Sequence, residues 1–194
     1  MFIQCGCIHI AVGLRLGANI CEPHQCPCGA MVDAKGLHGL SCKGGSGRSA
    51  RHHSLNDLVW RALSKADIPA VKEPSGLLRT DCKRPDGVTL IPWKDGRCVT
   101  WDVTVTDTMA QFYLPVTSHT SGAAAEAAAD RKTVKYAPLT QAYLFIAIAA
   151  ETMGAINSDG IEFLDDLGRR ITQVTYDNRE KAFLYQRLSV MIQR

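Results

Sequence analysis

The chain has 194 residues, of which 46% are hydrophobic and 21% are charged, as in an ordinary globular domain. That length can bury one good core and predicts one domain with a small appendage. A net charge of +3 does not by itself indicate a nucleic-acid partner. No apolar run approaches the roughly 18 residues of a bilayer span, and no secretory leader opens the chain. We therefore expect a nuclear or cytoplasmic protein, neither secreted nor membrane-bound.

Cysteines and histidines are mixed in the first 42 residues. This mixture favours metal binding and a reducing compartment over disulfides. Residues 1–20 have little apolar periodicity and are predicted to be irregular, as part of a longer polyprotein. Cys5 and Cys7 in this segment are a weak candidate for a further metal-binding pair. Cys82 and Cys98 have no such neighbours and are predicted to be small buried residues.

Residues 21–43 are predicted to form a small zinc module. The expected ligands are Cys26, Cys28, His38 and Cys42. Two close ligands, a loop of nine residues and a second pair with three residues between its members can enclose one tetrahedral Zn²⁺. Because Cys-x-Cys is a tight spacing, Cys21 and His24 compete as ligands. The alternative is a loop of reduced cysteines without metal, although so small a segment has no core of its own to fold around.

Residues 44–53 are predicted to be a basic, glycine-rich linker, since no acidic residue occurs between positions 34 and 56. Phosphate binding needs such local clustering of cations more than a high total charge. The candidate nucleic-acid-binding residues are Arg48, Arg51, His52, His53 and Arg84. The alternatives are a solvated loop and, for His53, a capping or core role.

The third segment, residues 54–194, is predicted to be the main domain. Ser54 is expected to cap a helix whose apolar stripe starts at Leu55 and which ends before Pro69. A short strand at residues 70–72 and a hairpin follow. Lys94-Asp95-Gly96 is a strong turn signal between the strands at 86–91 and 98–105.

This hairpin places Asp86 opposite Asp102 to within a few residues, and opposed residues have Cβ atoms about 5 Å apart. Two such acids repel each other unless a cation lies between them. Mg²⁺ prefers oxygen ligands of this kind and can activate water for phosphodiester cleavage. Taken alone, the spacing favours the alternative, a turn-initiating Asp86 and an edge-facing Asp102 that are both solvated.

The remaining elements alternate helix and strand. A helix is predicted at residues 123–136, a strand apolar on both faces at 143–150, and amphipathic helices near 160–174 and 178–193. From Ser54 onward the core order is therefore α-β-β-β-α-β, followed by two C-terminal helices.

Several motifs occur together in a characteristic order. They are Cys26-Pro27-Cys28-Gly29, His38-Gly39-Leu40-Ser41-Cys42, Arg51-His52-His53, Pro85-Asp86 and Asp102. Over residues 21–136 this order resembles the restriction-like endonuclease region, of the PD-(D/E)xK superfamily, in non-LTR retrotransposon polyproteins, with its CCHC zinc knuckle. The resemblance implies an α/β restriction-endonuclease-like fold, structural Zn²⁺, catalytic Mg²⁺, and DNA as substrate. It also implies RNA of the parent element as a second partner, and a place in a longer reverse-transcriptase polyprotein.

The chain departs from that family at Thr104, which stands where the Asp-x-Lys motif has lysine. In the superfamily a lysine can migrate to the following helix, which implies Lys132 or Lys135, with Lys132 slightly preferred. Glu73 is a candidate third metal ligand and so is Asp57, although both residue types are more often plain surface acids. Trp93 and Trp101 are candidates to stack on unpaired bases, or else core residues. Tyr136 is expected to be packed.

The leading hypothesis is a Mg²⁺-dependent DNA endonuclease domain. Its catalytic residues would be Asp86, Asp102, Lys132, Lys135, Thr104 and Glu73. A nucleic-acid-binding remnant without catalysis is the second hypothesis, and a zinc-stabilised interaction domain is the third.

Overall fold

The structure, a computed structural model, describes residues 5–42, 44, 47–77, 84–110 and 112–192. Up to residue 117, the described part of the chain contains four helices and five strands. They are α1 (Cys5–Leu16), β1 (His24–Gln25), β2 (Met31–Val32), α2 (His38–Ser41), α3 (Gly47–Lys65), β3 (Ala70–Lys72), β4 (Gly87–Thr89), β5 (Val99–Thr106) and α4 (Leu114–Thr117). The rest comprises α5 (Ala123–Lys135), a 3₁₀ turn (Ala137–Gln141), β6 (Leu144–Glu151), α6 (Ser158–Thr175) and α7 (Glu180–Met191).

A mixed four-stranded sheet in the order β3-β4-β5-β6 forms the centre of the protein. β3, β4 and β5 are antiparallel neighbours, whereas β6 lies parallel to β5 with Val99 opposite Leu144. Apart from the short α4 and the 3₁₀ turn, the elements from α3 to β6 follow the predicted α-β-β-β-α-β order, and two helices come after them. Asp95 and Gly96 both have positive φ, as a tight hairpin turn requires, and Lys94 bridges to Arg97.

The two faces of the sheet pack in different cores. Trp101 and Val103 pack with α3, α6 and α7 in the main core. On the other face, Ala125, Ala128 and Ala129 of α5 pack on Ala147 and Ala149 of β6. These small side chains let α5 lie close to the sheet. Asp102 faces α5, as the alternation along the return strand predicts.

Helix α5 is held at its first turn by a buried acid. Glu151, 2% exposed at the end of β6, accepts hydrogen bonds from the backbone N–H groups of Ala124 (2.9 Å) and Ala125 (3.3 Å). A carboxylate stabilises a helix N-terminus by satisfying N–H groups that lack partners within the helix. This contact fixes where α5 begins and therefore which of its residues lie over β5.

The outer edge of β6 is covered by the segment that leads into α6. Asn157 is buried, its amide nitrogen donates to the Ala147 carbonyl at 3.1 Å, and its amide oxygen accepts from Ala149 N–H at 2.8 Å. The Asn157 backbone N–H also donates to the Ala149 carbonyl at 3.0 Å, and Glu151 N–H donates to Ala155.

The first hairpin strand is shorter than predicted, Gly87–Thr89 instead of 86–91, and two larger differences lie in the N-terminal part of the chain. Residues 5–16 are helical rather than irregular, because α1 packs on α7: Leu14 is buried and Arg15 donates to the Ser189 carbonyl at 2.8 Å. Helix α3 begins at Gly47 instead of Ser54, so most of the predicted linker is helical. Its first turns are helical because the buried Arg51 side chain donates to the Leu40 carbonyl of the zinc module.

Cys98 is half-buried, whereas Cys82 lies outside the described residues. In the part of the chain that the structure describes, no helix is long and apolar enough to cross a membrane.

Gly87 allows β4 to pass directly beneath Trp101. A Cβ atom at position 87 would lie 2.0 Å from the indole ring, which is itself fully buried. We predict that Gly87→Ala lowers the free energy of unfolding by about 2–3 kcal/mol, because the ring has no room to move in a packed core. Chemical denaturation measures this change.

Gly39→Ala is the matched control. No atom lies within 4 Å of a Cβ placed at Gly39, and its backbone is helical. This variant should be neutral or slightly more stable. Equal losses in the two variants would contradict the packing argument.

Candidate functional site

Asp86 is fixed just before β4 by three elements. Its carbonyl accepts hydrogen bonds from Glu73 N–H (2.9 Å) and from the amide nitrogen of Asn56 on α3 (3.4 Å). The Asn56 amide oxygen in turn accepts from the indole N–H of Trp101 at 2.9 Å. The backbone at Asp86 is thus tied to α3, to the segment after β3, and through Asn56 to β5.

The Asp86 side chain reaches β5 next to Asp102. Gly87 pairs with Trp101 in the ladder, which sets residue 86 against residue 102, as predicted. Asp86 Oδ2 accepts the Val103 N–H at 2.6 Å, and Asp86 Oδ1 lies 3.3 Å from His52 Nε2. Both carboxylates therefore lie at one end of the hairpin, on residues held by backbone hydrogen bonds.

Asp102 forms an ion pair with Lys132. The Lys132 Nζ lies 2.5 Å from Asp102 Oδ1, and the two side chains are 27% and 4% exposed. A nearly buried carboxylate needs such a partner, because water does not compensate its charge. Lys132 lies seven residues after Ala125 and so continues the alanine stripe of α5 toward the sheet.

Lys135, the alternative lysine, has a different partner. Its Nζ donates to the hydroxyl of Tyr136 at 2.8 Å and lies 4.4 Å from the centre of that ring. Tyr136 is fully buried, as expected, and its hydroxyl donates to the Arg84 carbonyl at 2.7 Å. Of the two candidate lysines, Lys132 is therefore the one that contacts the pair of acids, through Asp102.

His52 is the side-chain partner of Asp86. The hydrogen bond to Asp86 raises the pKa of His52 above its ordinary value, and the nearby charges of Asp86 and Asp102 act in the same direction. Burial and the Lys132 ammonium oppose that rise. The site thus pairs two acids with two nitrogen groups, one from α3 and one from α5.

The sequence predicts His52 only as a phosphate-binding residue and predicts no role for Asn56. Their spacing could have predicted that they act together, because residues 52 and 56 are four apart and therefore lie on one face of α3. Both side chains of that face contact Asp86.

The candidate third metal ligands lie elsewhere. The Glu73 side chain is exposed, and its backbone N–H is what contacts Asp86. Asp57 pairs with Arg61 at 2.8 Å and with Lys72 at 3.0 Å. Thr104 is half-buried on β5 and lines the cleft beside Lys132.

Trp101 is not available to stack on bases, and Trp93 is half-buried. Trp101 is fully buried, and Trp93 packs against Phe163 with ring centres 5.0 Å apart. Both are held by the main core.

The predicted phosphate-binding residues divide into two groups. Arg51 is buried against the zinc module, while His53 and Arg84 are exposed. His52 and His53 contact each other edge to face, with ring centres 5.4 Å apart. The side chain of Arg48 lies outside the described residues.

A cleft of about 260 Å³ opens beside the acids. Its walls come from α3, β5 and α5. The lining includes Ser49, His52, His53, Thr104 and Lys132.

The zinc ligands predicted from spacing do converge. The ligand atoms of Cys26, Cys28, His38 and Cys42 all lie within 4.8 Å of one another. Cys26 Sγ and Cys42 Sγ are 3.6 Å apart, and Cys28 Sγ lies 3.2 Å from His38 Nε2. A tetrahedral ion with bonds of about 2.0–2.3 Å needs ligand separations of roughly this size. The cluster can therefore hold Zn²⁺.

The competing ligands are engaged elsewhere. Cys21 Sγ donates to the Asp33 carbonyl at 3.3 Å, and His24 Nδ1 lies 2.8 Å from the Glu22 carbonyl. Within the cluster, a hydrogen bond from the Ala30 backbone lowers the pKa of Cys28 to about 7. A thiol of lowered pKa supplies the thiolate that metal binding requires.

Comparison with known proteins gave no match, either among protein-family models or among curated proteins.

We predict that the purified protein holds about one zinc per chain and that Cys42→Ser removes it. Cys42 is a buried member of the four-ligand cluster, and the metal supplies folding energy to so small a module. Metal analysis of the desalted protein measures the stoichiometry. Cys21→Ser is the control and should retain zinc, because the Cys21 thiol donates to backbone carbonyls and is outside the ligand cluster. Full zinc content in Cys42→Ser would refute the ligand assignment.

We predict that Lys132→Met lowers the free energy of unfolding by about 2–3 kcal/mol. The substitution leaves the buried Asp102 carboxylate without its counter-charge, and the cost is moderated because Lys132 is partly exposed. Lys135→Met is the control one turn away and should cost under about 1 kcal/mol. Adding Asp102→Asn to Lys132→Met should recover much of the loss. An unchanged denaturation midpoint in Lys132→Met would contradict the pairing.

Proposed function

We propose that this protein is a metal-dependent DNA endonuclease domain with a restriction-endonuclease-like fold. The observation that carries the proposal is the set of Asp86, Asp102 and Lys132 at one end of the β4–β5 hairpin. Opposed carboxylates next to a lysine suit metal-assisted phosphodiester hydrolysis. The α-β-β-β-α-β order and the mixed sheet support the same proposal.

Asp86 and Asp102 are the residues that would hold Mg²⁺. Their carboxylate oxygens are the ligand type that this ion prefers, and both are fixed by the backbone pairing of the hairpin. When bound, the metal supplies Lewis-acid polarisation of the phosphate and activation of water.

Lys132 takes the role of the lysine that Thr104 replaces in the Asp-x-Lys pattern. It comes from the helix that follows, at 2.5 Å from Asp102. An ammonium held there stabilises negative charge that develops on the phosphate oxygens. His52 contacts Asp86 and orients its carboxylate. His53 and Thr104 line the cleft through which the DNA would reach the acids.

The order of zinc module, Arg-His element and acid pair supports a place in a retrotransposon-like element. We propose that the domain acts within a longer reverse-transcriptase polyprotein in the nucleus. DNA is the proposed substrate, and the RNA of the element is a further proposed partner.

A nucleic-acid-binding remnant without catalysis is the second candidate. The charge balance at the acids favours it: Lys132 already pairs with Asp102 and His52 with Asp86. In such a site each carboxylate has a nitrogen partner without any metal. In this alternative the ion pairs serve only to hold α3 and α5 on the sheet.

We predict Mg²⁺-dependent nicking of supercoiled plasmid by the zinc-loaded protein, and its loss in Asp86→Asn and Asp102→Asn. These variants keep the shape of the side chains but remove the charge that holds the metal. Gel quantification of nicked plasmid, with Mg²⁺ present and with Ca²⁺ in its place, measures the activity.

Asp57→Asn is the matched control on α3, since Asp57 pairs with surface cations away from the acids. It should retain wild-type nicking. Wild-type activity in Asp102→Asn would refute the site. A folded wild-type protein that binds DNA but never nicks it would establish the remnant instead.

A further inference from the structure

A second cleft, of about 620 Å³, adjoins the cleft beside the acids. Thr104, Val105 and Lys132 line both, so the two form one continuous groove. The groove runs from His52 and Lys132, the partners of the two acids, past the end of β5 to Asp107. One wall is α3 with Leu40 of the zinc module, and the other is α5 with the segment before α4.

The groove is basic along its length. Arg131, Lys132 and Lys135 line it from α5, and Arg51 lines it from α3. Among the described lining residues Asp107 is the acid, and its carboxylate already accepts hydrogen bonds from Met109 N–H and the Thr152 hydroxyl. Such a stripe of cations matches a chain of phosphates.

An aromatic platform stands at the α4 end of the groove. Tyr113 lines the groove, and the Arg131 guanidinium lies 5.7 Å from the centre of its ring and donates to its hydroxyl. Phe112 packs edge to face on Tyr113, with ring centres 5.1 Å apart, yet is 81% exposed. A phenyl ring this exposed contributes little to the stability of the fold, and it offers a free face to a planar ligand.

We propose that this groove receives one unpaired strand of DNA, with a base stacked on Phe112 and phosphates on Arg131 and Lys132. The inference rests on the proposed function, which it deepens by naming the substrate as unpaired DNA.

The depth of the acids supports an unpaired strand over a duplex. Asp102 is 3% exposed, and it lies behind its partner Lys132, which lines the groove between α3 and α5. A single strand bends at every nucleotide and can carry one phosphate down to that depth, whereas a duplex is stiff over many base pairs. Bases within a duplex also cover one another's faces, so stacking on an exposed aromatic ring favours unpaired bases.

The test is binding of the full-length, zinc-loaded protein to a fluorescein-labelled single-stranded DNA and to the same sequence as a duplex. Fluorescence anisotropy without Mg²⁺ keeps the measurement separate from cleavage. We expect the single strand to bind at least about tenfold tighter than the duplex. Phe112→Ala should weaken single-strand binding about tenfold, which is ~1.4 kcal/mol. Arg131→Gln should weaken it and reduce its salt dependence.

Matched controls lie on α6 and at its end. Tyr176→Ala removes another ring, 90% exposed, and Arg169→Gln another arginine whose side chain is 68% exposed, and neither residue lines the groove. Both should bind as wild type. Because Phe112 is so exposed, its replacement should not unfold the protein, and circular dichroism checks this.

The outcomes separate this inference from the proposed nuclease. Equal or tighter binding of duplex, or wild-type binding by Phe112→Ala, would overturn the groove assignment even if the protein nicks DNA. Phe112-dependent single-strand binding by a protein that never cleaves would support the groove and refute the nuclease. Tighter binding of single-stranded RNA of the same sequence would overturn the assignment to DNA.

Discussion

The buried ion pair between Asp102 and Lys132 is the interaction on which the arrangement of the site depends. A carboxylate on a strand covered on both faces is tolerated only if a cation reaches it. The alanine face of α5 brings the helix close enough for Lys132 to do so. Glu151 fixes the start of the same helix and therefore the position of the lysine. Charge compensation and small-residue packing thus act together to hold α5 over β5.

Local patterns were sufficient to predict the hairpin, the ligand cluster and the lysine-bearing helix. The Asp95-Gly96 turn and the alternation along β5 fix which residues oppose each other, so the pair of acids could be read from spacing. Convergence of Cys26, Cys28, His38 and Cys42 followed from ligand chemistry in the same way. The preference for Lys132 over Lys135 was slight, because both lie within one turn.

Long-range contacts account for what the sequence did not predict. Helix α1 and the first turns of α3 have weak local signals and form against α7 and the zinc module, through Arg15 and Arg51. The sequence leaves both base stacking and a core position open for Trp101, and the absence of a side chain at Gly87 leaves room for its ring within the core. His52 became a partner of Asp86 because α3 extends further toward the N-terminus than its apolar stripe indicates.

The side-chain amide of Asn157 caps part of the outer edge of β6 and so protects that edge of the sheet from pairing with another strand. A parallel strand at the margin of a sheet normally exposes N–H and C=O groups that can recruit a strand from another molecule. Here one side chain and its own backbone occupy those groups at Ala147 and Ala149, so that one residue replaces a fifth strand. Along this part of β6, self-association through backbone pairing would first have to displace a buried residue, which disfavours aggregation through the sheet.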